Sequence, residues 1–451
     1  MATTRGPRRR VNIDTETLRA PEDEPQMEFR IIKPSDISEN FARHPEFEGS
    51  VSSMLAMFNS PFNLDSHLDS QVSITPEYVL GLLGNRSFID GIIQNLKILY
   101  NKKWRRYYDI YNSLQDPQEG SEEFAIRPHI KKNYELAVYS AQARIDEKKL
   151  IEDITDAITN PNNGIMSLAG DSREEIRNML ASQIFVLARS AAPFDNSFLN
   201  LSITGPAGTG KTKIAQVMGF VYSKIGLLLK KYPDNVIIGS GKDVVSSYEG
   251  ATATKVNAFL GRGLECVVFI DEAYGIMGCT PKGKLPKSQN SYGTTAITEI
   301  VNFLDVYRGL SILIVAGYEK SMKNCFFGAN EGLNRRFPEN YKLKDYSKED
   351  LTAQFINLAN KRNGARMFNQ DYTIYALSYI IKSLEFPNQA GDILNMVAIF
   401  FKVINSYPDL LWTVDFPVAH DAQQQEQNNR NATINIKMLN ETASQYLKSK
   451  Q

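Results

Sequence analysis

The chain has 451 residues, 42% of them hydrophobic, enough to bury a full core and to divide into two or three domains. Lysine plus arginine and aspartate plus glutamate each number 51, so the long-range field of a nucleic-acid binder is missing, although that balance still permits a local basic patch. The three cysteines, Cys266, Cys279 and Cys325, have no CxxC spacing and no histidine pair beside them, which argues against a zinc site and for the cytoplasm or another reducing compartment.

No apolar run approaches the roughly 18 residues of a membrane span. Residues 1–27 are polar, charged and proline-bearing, and are expected to form a disordered tail rather than a secretory signal. Arg8-Arg9-Arg10 fits that solvated tail, with a nuclear or anion-binding patch as the alternative. From 28 to 160 the pattern predicts a mostly helical N-terminal domain. Apolar positions recur at three-and-four spacing over Ile89–Tyr100 and Leu136–Ile151, and Trp104, Tyr107, Tyr108 and Tyr111 extend the first stripe as core. The turn cluster Asn160-Pro161-Asn162-Asn163-Gly164 marks the boundary.

Beyond it, short β-branched runs alternate with helical stretches over residues 164–345. The runs are Leu199–Thr204, Asn235–Ser240, Cys266–Ile270 and Ser311–Ala316. Such alternation predicts an α/β domain, a parallel sheet with helices on both faces. Helical spacing returns in Asp350–Asn363, Tyr372–Leu384 and Asp392–Ile404, predicting a helical lid over 346–420. The low-complexity stretch from Gln423 to Asn431 then separates it from a last helix, Ile436–Tyr446, within a C-terminal segment 421–451.

Two motifs carry chemistry. Gly205-Pro206-Ala207-Gly208-Thr209-Gly210-Lys211-Thr212 fits G-x-x-x-x-G-K-[ST], with an apolar strand ending at Thr204 and a helix starting at Lys211. Glycines let backbone N–H groups turn inward onto phosphate oxygens, and the helix N-terminus adds positive charge. Lys211 is expected to reach the β- and γ-phosphates of ATP and Thr212 to hold Mg²⁺. About sixty residues later, the buried strand Cys266–Ile270 delivers Asp271-Glu272 to its C-terminal end, where ligands of open α/β sheets bind. Asp271 is the expected second Mg²⁺ ligand, and Glu272 the group that orients and deprotonates water.

Together these motifs resemble the AAA+ ATPases, in the branch of red-type Rubisco activase and stage V sporulation protein K, over roughly Ser167–Met396. Ser167-Leu168-Ala169-Gly170 is similar to the leading segment that lies against the adenine. Asp271-Glu272-Ala273-Tyr274, Tyr292-Gly293 with Ala296-Ile297 and Phe303-Leu304, and Ala316-Gly317-Tyr318 resemble the branch's later segments. Gly332-Leu333-Asn334-Arg335-Arg336-Phe337-Pro338 resembles its arginine-finger segment, with Arg336 at the matching position and Arg335 as second choice. A finger acting from a neighbouring subunit implies a homo-oligomeric ring, expected as a hexamer. Tyr248, in Ser247-Tyr248-Glu249-Gly250, matches the aromatic pore-loop position that grips substrate chain.

Two positions depart from the family. Gly391 stands where relatives carry a sensor arginine, and Gly317-Tyr318 where the fourth strand usually ends on a polar sensor. The resemblance implies an ATP-hydrolysing, ring-forming protein remodeller or chaperone-like motor acting on a protein substrate. A nucleic-acid motor or loader is the second hypothesis, with Lys102-Lys103-Trp104-Arg105-Arg106 and Lys282–Lys287 as its weak candidates. A slowly hydrolysing regulatory ATP-binding protein is the third, motivated by Gly391.

Overall fold

The computed structural model describes residues 74–406 apart from 115–116, 120, 196, 247–249, 285–290 and 364–370, together with 438–450. The described residues lie in one compact unit, Ser73–Gln451. Four helices come first: α1 (Pro76–Leu82), α2 (Arg86–Ser113), α3 (Glu122–Gln142) and α4 (Glu147–Thr159). Thr75, Asn85, Ser121 and Asp146 cap them in turn, each side chain accepting the backbone N–H three residues on. The apolar repeat across Leu136–Ile151 predicts one continuous helix, but the chain is extended at Ala143 and restarts on the Asp146 cap. A side chain that satisfies the N–H of Lys149 begins a new helix there.

After α5 (Glu174–Arg189) the α/β part follows as β1 (Leu201–Thr204), α6 (Lys211–Lys224), β2 (Val236–Ser240), α7 (Ala251–Arg262) and β3 (Val267–Asp271). It continues through α8 (Ser291–Val306), β4 (Ile312–Gly317), α9 (Gly332–Arg336) and β5 (Glu339–Lys342). The five strands form one parallel sheet in the order β2-β3-β4-β1-β5. Four of them coincide with the β-branched runs. The fifth, Glu-Asn-Tyr-Lys, is a mostly exposed edge strand, held to β1 by its parallel ladder and by the Ser202 hydroxyl on Asn340 Oδ1 at 2.5 Å.

Alternate residues of the central strands feed opposite layers. Val267, Phe269, Ile312 and Ile314 pack with α2, α4, α5 and α6, while Val268, Ile270, Leu313 and Val315 pack with α7 and α8. Helices before Asn160, predicted as an N-terminal domain, contribute to both layers: Ile89, Ile92, Leu96 and Ile154 to the first, Tyr107, Ile126 and Ile130 to the second. Beneath the sheet a buried ion pair joins them to it. Lys103 Nζ lies 2.6 Å from Glu265 Oε2, the Tyr107 hydroxyl donates to Oε1 at 3.1 Å, and the Leu229 N–H donates to Oε2 at 3.2 Å.

The predicted lid holds α10 (Lys348–Asn363), α11 (Asp371–Ser383) and α12 (Ala390–Asn405), and α13 over 438–448, expected to stand apart behind a linker, packs into the same core. That core is the lid's own, and in it Leu351, Phe355, Phe400, Met438 and Tyr446 meet. Cys279 and Cys325, 46 residues apart, are joined in a disulfide, and Cys266 is the free, buried cysteine. Burial pushes the Cys266 thiol up to about 12, with nearby Lys230 opposing and Glu265 and Asp234 adding to the shift. The fold brings together two cysteines whose spacing gave no sign of pairing, so the inference of a reducing compartment loses its basis. Among the described residues no helix is long and apolar enough to cross a membrane.

Candidate nucleotide site

The P-loop turns from the end of β1 into α6. Gly208 and Gly210 have φ of 72° and 84°, the left-handed region that side chains disfavour. Their surroundings are equally demanding. A Cβ on Gly208 would lie 1.8 Å from the Asn388 carbonyl oxygen, and one on Gly210 2.9 Å from the Tyr346 hydroxyl. Within the turn the Thr209 hydroxyl donates to Pro206 O at 2.9 Å. From outside, Arg173 Nη2 donates to Thr209 O at 2.6 Å, and its guanidinium stacks 3.7 Å from the Tyr346 ring centroid. Arg173 is only 2% exposed. The sequence shows it merely as a charged residue at the head of a helix, so this brace was missed.

Lys211 Nζ donates to Gly205 O at 3.0 Å and Pro206 O at 2.7 Å and lies 5.8 Å from the centre of the Tyr318 ring. Desolvation lowers its pKa, while the charges of Asp271 and Glu272 pull the other way, so both carboxylates are felt at the lysine. Strand register explains why. Ile270 of β3 pairs with Val315 of β4, which pairs with Ser202 of β1. Asp271 therefore leaves the sheet level with the end of β1, two strand spacings or about 10 Å away.

Asp271 is half-buried and accepts the Glu272 N–H at 2.9 Å. Glu272 is exposed, with φ 47° and ψ 44°. A left-handed glutamate costs on the order of 1–3 kcal/mol, and strain of this kind clusters where a side chain must be aimed. The Tyr274 hydroxyl lies behind it. Burial and then the neighbouring Glu272 carboxylate raise its pKa, yet the hydroxyl makes no geometrically sound hydrogen bond with any described residue.

A cavity of about 710 Å³ adjoins Gly210. Its walls are the turn after α4 (Pro161, Asn162), the segment Ser167–Ala169, Ile214 of α6, and Leu358, Ala390 and Leu394 of the lid. Lys213 closes one side by donating to Asn162 O and, at 3.3 Å, to Asn163 Oδ1. Its size and mixed lining suit a nucleoside. The residues present also fit ATP and Mg²⁺ chemically: the glycine cradle leaves no room for a Cβ, and the Thr212 hydroxyl and Asp271 carboxylate are hard oxygen donors. No group of three or more metal-ligating side chains occurs among the described residues. A cation here would need phosphate oxygens to complete its shell.

The adjacent arginines have different surroundings. Arg336, the first choice from sequence, is 8% exposed; its Nε lies 3.0 Å from Asp305 Oδ1, its Nη2 donates to Asp305 Oδ2, and its Nη1 donates to Gly332 O at 2.7 Å. Arg335 is exposed. At Gly391 an added Cβ would meet only Asn388 Cβ at 3.9 Å, so packing does not demand glycine there. Tyr248 lies outside the described residues. Much of the basic segment in α2 is already engaged: Lys102 on Asp195 at 2.7 Å, Lys103 on Glu265, and Arg106 on the Val306 and Arg308 carbonyls. Lys282–Lys287 is described only as far as Lys284.

Strand, phosphate-cradling turn, helix and acidic strand end define a P-loop NTPase. Residues 201–326 match the family model of the ATPase family associated with various cellular activities (AAA). Three curated relatives each align with part of the chain. EccA3, an ESX-3 secretion system protein of Mycolicibacterium smegmatis, is 33% identical over 36% of this chain and 25% of its own length. A CfxQ homolog of Cyanidium caldarium is 32% identical over 44% of this chain and 64% of its own. CbbX of Cereibacter sphaeroides is 34% identical over 34% and 46% respectively. The chain thus spans about a quarter of the length of the EccA3 proteins and less than two thirds of the other two. Residues 201–326 thus carry an AAA ATPase domain, and the chain is similar to CbbX and CfxQ proteins over part of its length.

Proposed function

We propose that the chain binds Mg²⁺-ATP, hydrolyses it, and works as a ring-forming remodeller of a protein partner. The observation that carries this reading is the convergence of Lys211, Asp271 and Glu272 at one end of the sheet, beside a cavity of nucleoside size. Lys211 would neutralise β- and γ-phosphate charge, and Thr212 with Asp271 would hold Mg²⁺, which supplies charge stabilisation at the phosphoryl oxygens. Glu272, exposed and aimed by its backbone, would orient water and accept its proton.

Of the two arginines, the finger role goes to Arg335, because a guanidinium clamped on Asp305 in its own chain is not free to reach a neighbour's phosphate. Arg336 then positions the short helix that presents Arg335. A finger acting across a boundary needs a head-to-tail contact that closes into a ring, for which a hexamer is proposed. Tyr248 is proposed as the gripping aromatic of that ring. Engagement of Lys102, Lys103 and Arg106 inside the fold weighs against a nucleic-acid motor.

Phosphate release by the purified chain, measured beside sedimentation with and without ATP, tests the proposal. Release above the spontaneous rate together with an ATP-dependent ring supports it. Binding without release would leave the regulatory alternative, and stimulation by single-stranded or duplex DNA would favour the motor.

A further inference from the structure

The turn joining α11 to α12 rests on the P-loop. Ala390 N–H donates to Gly208 O at 3.3 Å, and the Asn388 carbonyl occupies the space a Gly208 side chain would need. The turn is not relaxed, since Gln389 has φ 49° and ψ −118°. Something must therefore hold it in place. Gln389 does part of this, accepting the Tyr346 N–H at 3.2 Å and donating to Phe386 O at 3.0 Å.

The rest comes from far along the chain. Asp392, in the first turn of α12, is wholly buried. Its Oδ2 accepts the Asn388 N–H at 2.8 Å, and its Oδ1 lies 2.5 Å from Lys450 Nζ, just beyond α13. Phe386 stacks on Tyr446 of α13 with ring centroids 5.5 Å apart. One face of the turn is thus gripped by α13 and the residues after it, while the other lies on Gly208 and carries Ala390 and Leu394 into the nucleoside cavity.

We infer that Lys450 is a positioning residue for nucleotide binding: by countering the buried charge of Asp392, 58 residues before it in sequence, it fixes the 388–392 turn against the P-loop. Without the ammonium, Asp392 is a buried carboxylate with no cation paired to it among the described residues, and burying an unpaired charge is unfavourable enough to draw it toward water. Its movement takes the Asn388 N–H with it, and the carbonyl of the same residue leaves Gly208. The lid core, built from Leu351, Phe355 and Phe400 on other turns, is not remade by this change.

The inference rests on the P-loop being a nucleotide site, which binding by the parent chain tests separately. Titration of the full chain with a fluorescent ADP analogue, alongside steady-state phosphate release, is the experiment. Lys450→Ala is expected to weaken binding and raise KM by about tenfold while kcat stays within about twofold. Lys450→Arg should bind as the parent does. Asp392→Asn combined with Lys450→Ala should recover most of the loss, because the amide oxygen still accepts from Asn388 and needs no cation. If the parent binds and Lys450→Ala binds equally well, or if the double variant stays as weak as the single one, the inference falls while the nucleotide site stands. Far-UV circular dichroism of each variant guards the comparison; should Lys450→Ala fail to fold, the double variant and Lys450→Gln carry the same test.

Discussion

Replacing Gly208 by alanine tests the site through one methyl group. The backbone there has φ 72°, which costs an L-residue roughly 1–2 kcal/mol. The larger consequence is steric. The new Cβ would stand 1.8 Å from Asn388 O, a backbone atom, and the next atoms it meets are Asn388 C at 2.6 Å and Cα at 3.4 Å. No side-chain rotation relieves such an overlap, so the lid turn must withdraw by an ångström or more. That turn carries Ala390 and Leu394 into the cavity, and its Ala390 N–H would lose Gly208 O. Gly208→Ala is therefore expected to weaken nucleotide affinity at least tenfold, or about 1.4 kcal/mol. It should lower the nucleotide-free melting temperature by only a few degrees, because the site lies at the surface between two cores. Titration with a fluorescent ADP analogue and thermal melts with and without ADP provide the readout. Parental affinity in a folded Gly208→Ala chain would refute the account of lid and P-loop in contact.

Other expectations follow from the same geometry. Lys211→Ala should abolish binding of the fluorescent analogue, whereas Glu272→Gln should keep binding and lose phosphate release, since the amide preserves shape but accepts no proton. Arg335→Ala is expected to cut turnover while leaving the melting temperature unchanged, and Arg336→Ala to lower the melting temperature by removing the buried partner of Asp305 and the bond to Gly332 O; the reverse pattern would return the finger role to Arg336. In mixed oligomers, Arg335→Ala with Lys211→Ala should partly recover activity. Lys103→Ala should destabilise the chain by about 3–5 kcal/mol, because it removes the ammonium paired with buried Glu265. Chemical denaturation measures this, and adding Glu265→Gln should restore much of the loss.

The sequence marks the P-loop and Asp271-Glu272 because their chemistry needs fixed residue types at fixed spacing beside an apolar strand. The three inner strands show for a related reason: buried on both faces, they read as short apolar runs, and the edge strand β2 keeps its Val236-Ile237-Ile238 run although it is only half-buried. Strand β5 does not, since a polar edge strand looks like a loop until its partner is known. The brace of Arg173 on Thr209 and Tyr346 joins segments about 36 and 170 residues apart, and no local pattern reports such a contact. Arg335 and Arg336 are indistinguishable as neighbours in a motif. A helix sets successive side chains about 100° apart, so one meets Asp305 and the other meets solvent. The Cys279–Cys325 pairing is hidden in the same way, by a loop after β3 and a short helical turn after β4 that only the sheet brings together.

Helices α2, α3 and α4 do not sit on the nucleotide-binding sheet as a separate body. Their side chains form part of its two layers, and Lys103 is anchored beneath it on Glu265. A rigid piece of this kind has no joint along which to bend. The lid is different, with an apolar core of its own and contacts on the P-loop through the 388–392 turn and Tyr346. If nucleotide drives movement among the described residues, a heavy frame of sheet and leading helices would stay still while a light lever, resting on Gly208, shifts against it.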